Sequence, residues 1–271
     1  MHYRSLGRTG IPVSTVAMGT WQSFDVRGER AVQHVRQLVT EALRCGVNLF
    51  DTAPMYGQAE EVLGTVLRGR REGVLIATKV LQSDAASARR QIEQSFRKLQ
   101  TDVIDLMQIH NMAGWQQVTP VLEDYKARGT LRWLGITDYR TGMFPEMMRA
   151  MRTGVFDTIQ IPYNLGDREA ERAILPLAAE LNLGVLVMTP LCPIFDRSRL
   201  LRAVGRHDMS FLEAYGIRTA GQALLAYAAA NPHVSSLLPA TSRLERVAEN
   251  TAVGALPRLP PDIVRRLEAL L

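Results

Sequence analysis

The chain has 271 residues, room for one large domain or two small ones, and its 46% apolar content is ample for a well-filled core. Its 32 basic and 27 acidic residues leave a net charge of +5, but the arginines are scattered in pairs (Arg70-Arg71, Arg89-Arg90, Arg265-Arg266) instead of forming a basic arm interleaved with aromatics. That argues against nucleic acid and leaves an anionic small ligand as the partner such a surface would steer.

Cys45 and Cys192 lie far apart without metal-ligand spacing, so neither a metal site nor a disulfide framework is indicated. No stretch has signal-peptide or membrane-spanning character, and the expectation is a soluble cytoplasmic protein with no membrane contact.

Residues 2–14 read as two short extended pieces joined through Gly7 to Gly10, a hairpin placed as a lid or plug. Short β-type runs follow at 15–18, 47–51, 74–80, 103–110, 131–137, 158–161, 185–188 and 234–239. Between them lie amphipathic segments at 29–45, 85–99, 115–126, 169–181 and 220–230, and helical spacing also runs from 57 to 67. Strand then helix, eight times, is the grammar of a (β/α)8 TIM barrel, an α/β fold. The competing doubly wound plan needs a G-x-G-x-x-G turn, and no two of the 20 glycines are separated by a single residue. Residues 192–217 are Arg-rich and aperiodic, which predicts a functional loop. The Pro257 to Pro261 stretch breaks the chain before an extra C-terminal helix over 262–271, and residues 1–271 are expected to form a single barrel domain.

Active sites of such barrels sit at the C-terminal ends of the strands, and almost every run here ends in a polar residue: Asp51, Lys79, His110, Thr137-Asp138, Gln160 and Thr189. Singly, each has a plain structural explanation as a cap, a snorkelling lysine or a core histidine. Together they would all fall at one mouth. Lys79 lies inside the apolar run Val74-Leu-Ile-Ala-Thr-Lys-Val80, where an ammonium needs a carboxylate, and Asp51 ends the neighbouring strand. With that pair behind it, Tyr56 would have its pKa lowered by Lys79 and would offer a proton to an oxygen on which negative charge develops, with His110 orienting that oxygen. The sequence holds no nucleophile elbow, no phosphate loop and no H-E-x-x-H. An external hydride donor, a nicotinamide, would complete the chemistry.

These motifs resemble the aldo-keto reductase family: Phe50-Asp-Thr-Ala-Pro-Met-Tyr-Gly57, Ala77-Thr-Lys79, Asp105-Leu-Met-Gln-Ile-His110, Gly135-Ile-Thr-Asp138, Gln160-Ile-Pro-Tyr-Asn164 and Pro239-Ala-Thr-Ser-Arg-Leu-Glu-Arg-Val-Ala-Glu-Asn250. The resemblance implies a catalytic tetrad of Asp51, Tyr56, Lys79 and His110, with Tyr56 as general acid. It implies NADPH (NADP+) lying across the barrel mouth, with Gly19, Thr20 and Asp51 near the nicotinamide ribose and Thr137, Asp138 and Gln160 on the carboxamide. Met188 would lie under the ring, Thr189, Pro190 and Leu191 along the pyrophosphate, Thr241, Ser242, Arg243 and Arg246 on the 2′-phosphate, and Glu249 and Asn250 at the adenine. Asp138 stands where the family usually has asparagine, Met188 where it has an aromatic, and Ala240 where many members carry lysine. Trp21, Met55, Asn111 and Met112 are the candidate contacts to a small carbonyl or alcohol substrate. The implied function is reversible reduction of aldehydes or ketones with NADPH; the alternative is a catalytically weak, nucleotide-binding regulatory protein on the same barrel.

Overall fold

The strands are short and almost wholly buried, as a parallel barrel wrapped in helices requires. The computed structural model describes residues 1–193 and 198–271. An antiparallel hairpin, β1 (Tyr3–Ser5) and β2 (Pro12–Ser14), comes first. Then follow β3 (Met18–Gly19), α1 (Glu29–Arg44), β4 (Leu49–Asp51), α2 (Ala59–Leu67), β5 (Leu75–Val80), α3 (Ala85–Leu99), β6 (Ile104–His110), α4 (Trp115–Ala127), β7 (Leu131–Thr137) and α5 (Phe144–Met151). The chain continues with β8 (Thr158–Pro162), α6 (Ile174–Glu180), β9 (Gly184–Met188), α7 (Arg199–Val204), α8 (Ala220–Ala230), β10 (Ser236–Leu237), α9 (Leu244–Ala252) and α10 (Pro261–Glu268).

Strands β3 to β10 form one eight-stranded parallel sheet in chain order. Its edges meet: the amide of Leu237 donates to Thr15 O (2.9 Å), that of Ala17 to Leu237 O (2.8 Å) and that of Gly19 to Pro239 O (3.0 Å). This is the expected (β/α)8 barrel. The hairpin's Leu6 and Val13 are buried with Leu49, Ala77, Leu106 and Leu186, so the hairpin plugs the barrel.

Local chemistry explains the helices that position the site. In α1, Val35, Leu38, Val39 and Ala42 are buried at helical spacing. The Asp84 side chain caps α3 by accepting from the amide of Ser87 (2.9 Å), and Thr219 caps α8 through the amide of Gln222 (3.2 Å). The segment 169–181, expected as one helix, is a short turn at Glu169–Glu171 followed by α6. Pro176 is the reason, because its ring would clash with the carbonyl four residues back and stops the helix extending towards Glu169. The loop expected over 192–217 contains α7 and the 3-10 turn Ser210–Tyr215; its residues 194–197 lie outside the described residues. Among the described residues, no helix is long and apolar enough to cross a membrane.

Candidate active site

A cavity of about 580 Å3 opens at the C-terminal ends of the strands. Asp51, Tyr56, Lys79 and His110 line it, with Gly19, Thr20, Trp21, Asn111, Thr137, Gln160, Met188, Thr189, Pro190 and Leu191. The structure thus gathers the four residues reached from strand ends.

At the floor, Lys79 Nζ donates to Asp51 Oδ2 (2.7 Å), Asp51 Oδ1 (2.9 Å) and Thr52 O (2.8 Å), and the lysine is 1% exposed. Burial works against the ammonium, but Asp51 beside it outweighs this and holds the Lys79 pKa above its ordinary value; burial also raises the Asp51 carboxyl, against the pull of Lys79. The lysine's short contacts to both carboxylate oxygens are the geometry of an ion pair. Gln108 was not anticipated from the sequence. Its Nε2 donates to Gln160 Oε1 (2.7 Å) and Asp51 Oδ1 (3.3 Å), and Gln160 Nε2 donates to Asp51 Oδ2 (3.4 Å). The signal was present: Gln108 lies two residues before His110 in β6, hence on the same face. Gly135 makes room for it, since a Cβ there would meet Gln108 Cγ at 3.0 Å and Thr158 Oγ1 at 2.4 Å.

Tyr56 sits in the loop between β4 and α2. Gly57, at φ 61°, carries the chain past Asp25, whose Oδ1 would lie 2.2 Å from a Cβ and accepts from the amide of Gln58 at 2.9 Å. The Lys79 ammonium lies 5.1 Å from the Tyr56 ring centroid, and the His110 ring meets Tyr56 edge-on with centroids 6.3 Å apart. One expectation is reversed in sign. Burial raises the Tyr56 pKa above its ordinary value, even though Lys79 pulls it down. A phenol so held keeps its proton at neutral pH, which suits a donor to an oxygen gaining negative charge.

His110 is pushed down to about 3, first by burial and then by the Lys79 charge, so it is a neutral imidazole over the ordinary pH range. This has a consequence for stability. The unfolded imidazole titrates near 6.5, so between that value and about 3 the unfolded chain holds the extra proton. His110 should therefore contribute a loss of thermal stability as pH falls below about 6.5, and no slope above it. Melting curves of the parent and of His110→Gln from pH 7.5 to 4.5 check this; parallel declines would remove His110 as the cause.

Two strand ends carry backbone strain. Asn111 (φ 55°) and Met112 (φ 54°) follow β6, and Thr189 (φ 54°), a β-branched residue, follows β9. Asn164 Nδ2 donates to Thr189 O (3.0 Å), which ties that turn to the loop after β8. The turn at 111–112 sends Met112 into the main core at 5% exposure, and it is not among the residues lining the cavity. The expected substrate contact at Met112 is thus not placed at the pocket. Met55 is 59% exposed and also lies off the lining. Tyr139, which the sequence reading did not single out, lines it together with Gln22, Cys192 and Pro193.

The groups expected at a dinucleotide divide between the cavity wall and the β10–α9 end of the chain. Thr137 and Gln160 line the cavity, while Asp138 is buried beside it, its carboxylate held by Arg140. Thr241, Ser242 and Arg243 lie between β10 and α9, and Arg246, Glu249 and Asn250 are on α9. Arg246 pairs with Glu249, whose Oε1 accepts from Thr219 Oγ1 at 2.6 Å, and Arg243 pairs with Glu245. Asn250 is buried. Among the described residues, Thr20 Oγ1, His110 Nδ1 and Thr189 Oγ1 are buried side-chain atoms of cavity-lining residues without a hydrogen-bond partner in the protein.

A model of the aldo/keto reductase family matches residues 15–271. The chain belongs to that family. Within it, the chain is 31% identical to the aldo-keto reductase YhdN of Bacillus subtilis, over 71% of this chain and 62% of that protein. It is 27% identical to a probable voltage-gated potassium channel subunit beta of Oryza sativa, over 100% of this chain and 97% of that protein. Among solved structures, it resembles an aldo/keto reductase from Klebsiella pneumoniae in complex with NADP and acetate, with a TM-score of 0.86 and 27% identity over 100% of this chain and 95% of that one. This aldo/keto reductase therefore shares the barrel of its relatives along its whole length.

Proposed function

We propose that this aldo/keto reductase is an NADPH-dependent oxidoreductase that interconverts aldehydes or ketones with alcohols, Tyr56 supplying or accepting the proton. The observation that carries the reading is the buried Asp51–Lys79 pair set behind Tyr56 at the floor of a cavity that His110 also lines. The cofactor would supply hydride to the carbonyl carbon. Thr137, Asp138 and Gln160 would hold its amide end, residues 189–191 its pyrophosphate, and Arg246 its 2′-phosphate. The chain's own part is to present a protonated phenol and a neutral imidazole to the carbonyl oxygen and to keep a cation close by as charge builds there.

Steady loss of NADPH absorbance with a panel of small aldehydes tests the reading. Tight NADPH binding without turnover would favour the regulatory alternative, which the likeness to a channel subunit keeps in view.

A second test concerns cofactor choice. A charge-assisted bond to a phosphate contributes about 1.5–3 kcal/mol, but here Arg246 must exchange Glu249 for it. Arg246→Ala should therefore raise the NADPH dissociation constant by about tenfold, near the lower end of that range, and leave NADH almost unchanged. Fluorescence titrations with both cofactors measure it, and equal weakening of the two would remove Arg246 from phosphate recognition.

A further inference from the structure

Asp138 follows the last residue of β7, and its side chain is fully buried, yet its partner is not. One residue supplies three donors to it. Asp138 Oδ1 accepts from the backbone amide of Arg140 (2.9 Å) and from its Nε (2.9 Å), and Oδ2 accepts from its terminal nitrogen (2.7 Å). The guanidinium, 49% exposed, also donates to Asn111 O (3.4 Å) in the turn after β6. Thr137 and Tyr139, on either side of Asp138, both line the cavity.

An ion pair with two hydrated ends contributes little. Here one end is dry, and a dry carboxylate without a cation is strongly unfavourable. Arg140 is thus what makes an acid tolerable at this point of the wall. A fork of two parallel donors also fixes the plane of the carboxylate, which a lysine would not do. Asp138 itself is not among the residues lining the cavity, so the fixed carboxylate holds from behind the segment whose Thr137 and Tyr139 do line it.

We propose that Arg140 is a positioning residue for the amide end of the dinucleotide, acting through Asp138 and through the 137–139 segment that the pair holds in place. The proposal rests on the NADPH reading above, and it needs a readout other than turnover. Calorimetric titrations with NADPH and with 2′-phospho-ADP-ribose, the same nucleotide without its nicotinamide, provide one. Arg140→Met should weaken NADPH by about tenfold, the scale for losing a charge-assisted bond, and leave the fragment within about twofold. Adding Asp138→Asn to Arg140→Met removes the stranded charge from behind the 137–139 segment, so NADPH affinity should return to within about threefold of the parent.

Unchanged NADPH binding in Arg140→Met overturns the proposal. So does equal weakening of both ligands, which would mark a general structural role. Should Arg140→Met fail to fold, Arg140→Lys carries the same comparison, since it keeps a cation and loses the fork. A folded parent that binds the fragment and NADPH equally well sinks the positioning claim alone, whereas a parent that binds neither sinks the cofactor reading with it.

Discussion

Tyr56→Phe should bind NADPH about as tightly as the parent and turn over about 10²-fold more slowly or worse, the scale for losing a positioned acid. The substitution removes one oxygen from a partly buried ring and keeps the ring's packing, so the fold should be little affected. Because burial holds the phenol protonated, the substitution removes a group that carries its proton at neutral pH, as reduction of a carbonyl requires. Matched measurements of kcat and of the NADPH dissociation constant decide it, and equal turnover in the two proteins would take Tyr56 out of the mechanism.

Lys79→Met should abolish turnover and also destabilise the protein. It leaves Asp51 buried with only the weaker amide contacts of Gln108 and Gln160 in place of an ammonium at 2.7 Å. Breaking one side of a buried pair costs about 3–5 kcal/mol, which in a chain of this length lowers the melting temperature by on the order of 10 °C. Replacing Asp51 with asparagine in the same chain should recover much of that stability and none of the activity, because the cation near Tyr56 is still missing. An unchanged melting temperature in Lys79→Met would contradict the burial of the pair.

Much of this site was legible because strand alternation and charge burial are local rules. A lysine inside Val74-Leu-Ile-Ala-Thr-Lys-Val80 demands a partner whatever the fold, and the acid ending the neighbouring strand was the nearest candidate. Gln108 follows from the same alternation but carries no charge, so nothing in the sequence forced a partner on it. The orientation of Met112 depends on two successive left-handed residues, a backbone choice that neither asparagine nor methionine announces. The sign of the Tyr56 shift turns on how much water the ring loses, a property of the assembled mouth and not of the motif. The pairing of Asp138 with Arg140 is a fold-back within one turn, and spacing alone does not distinguish it from two solvated charges.

The hairpin and the floor together make the barrel a cup and not a pipe. Leu6 and Val13 stop one end, and Asp51, Lys79, Gln108 and Gln160 cross the interior below the cavity. Among the described residues, the floor is reached from the cavity that Trp21 and Tyr139 also line. A long ligand lying across that cavity would cover the floor from the only side the hairpin leaves unplugged, so the depth of the cup decides how much of a second, smaller ligand it can hold beneath.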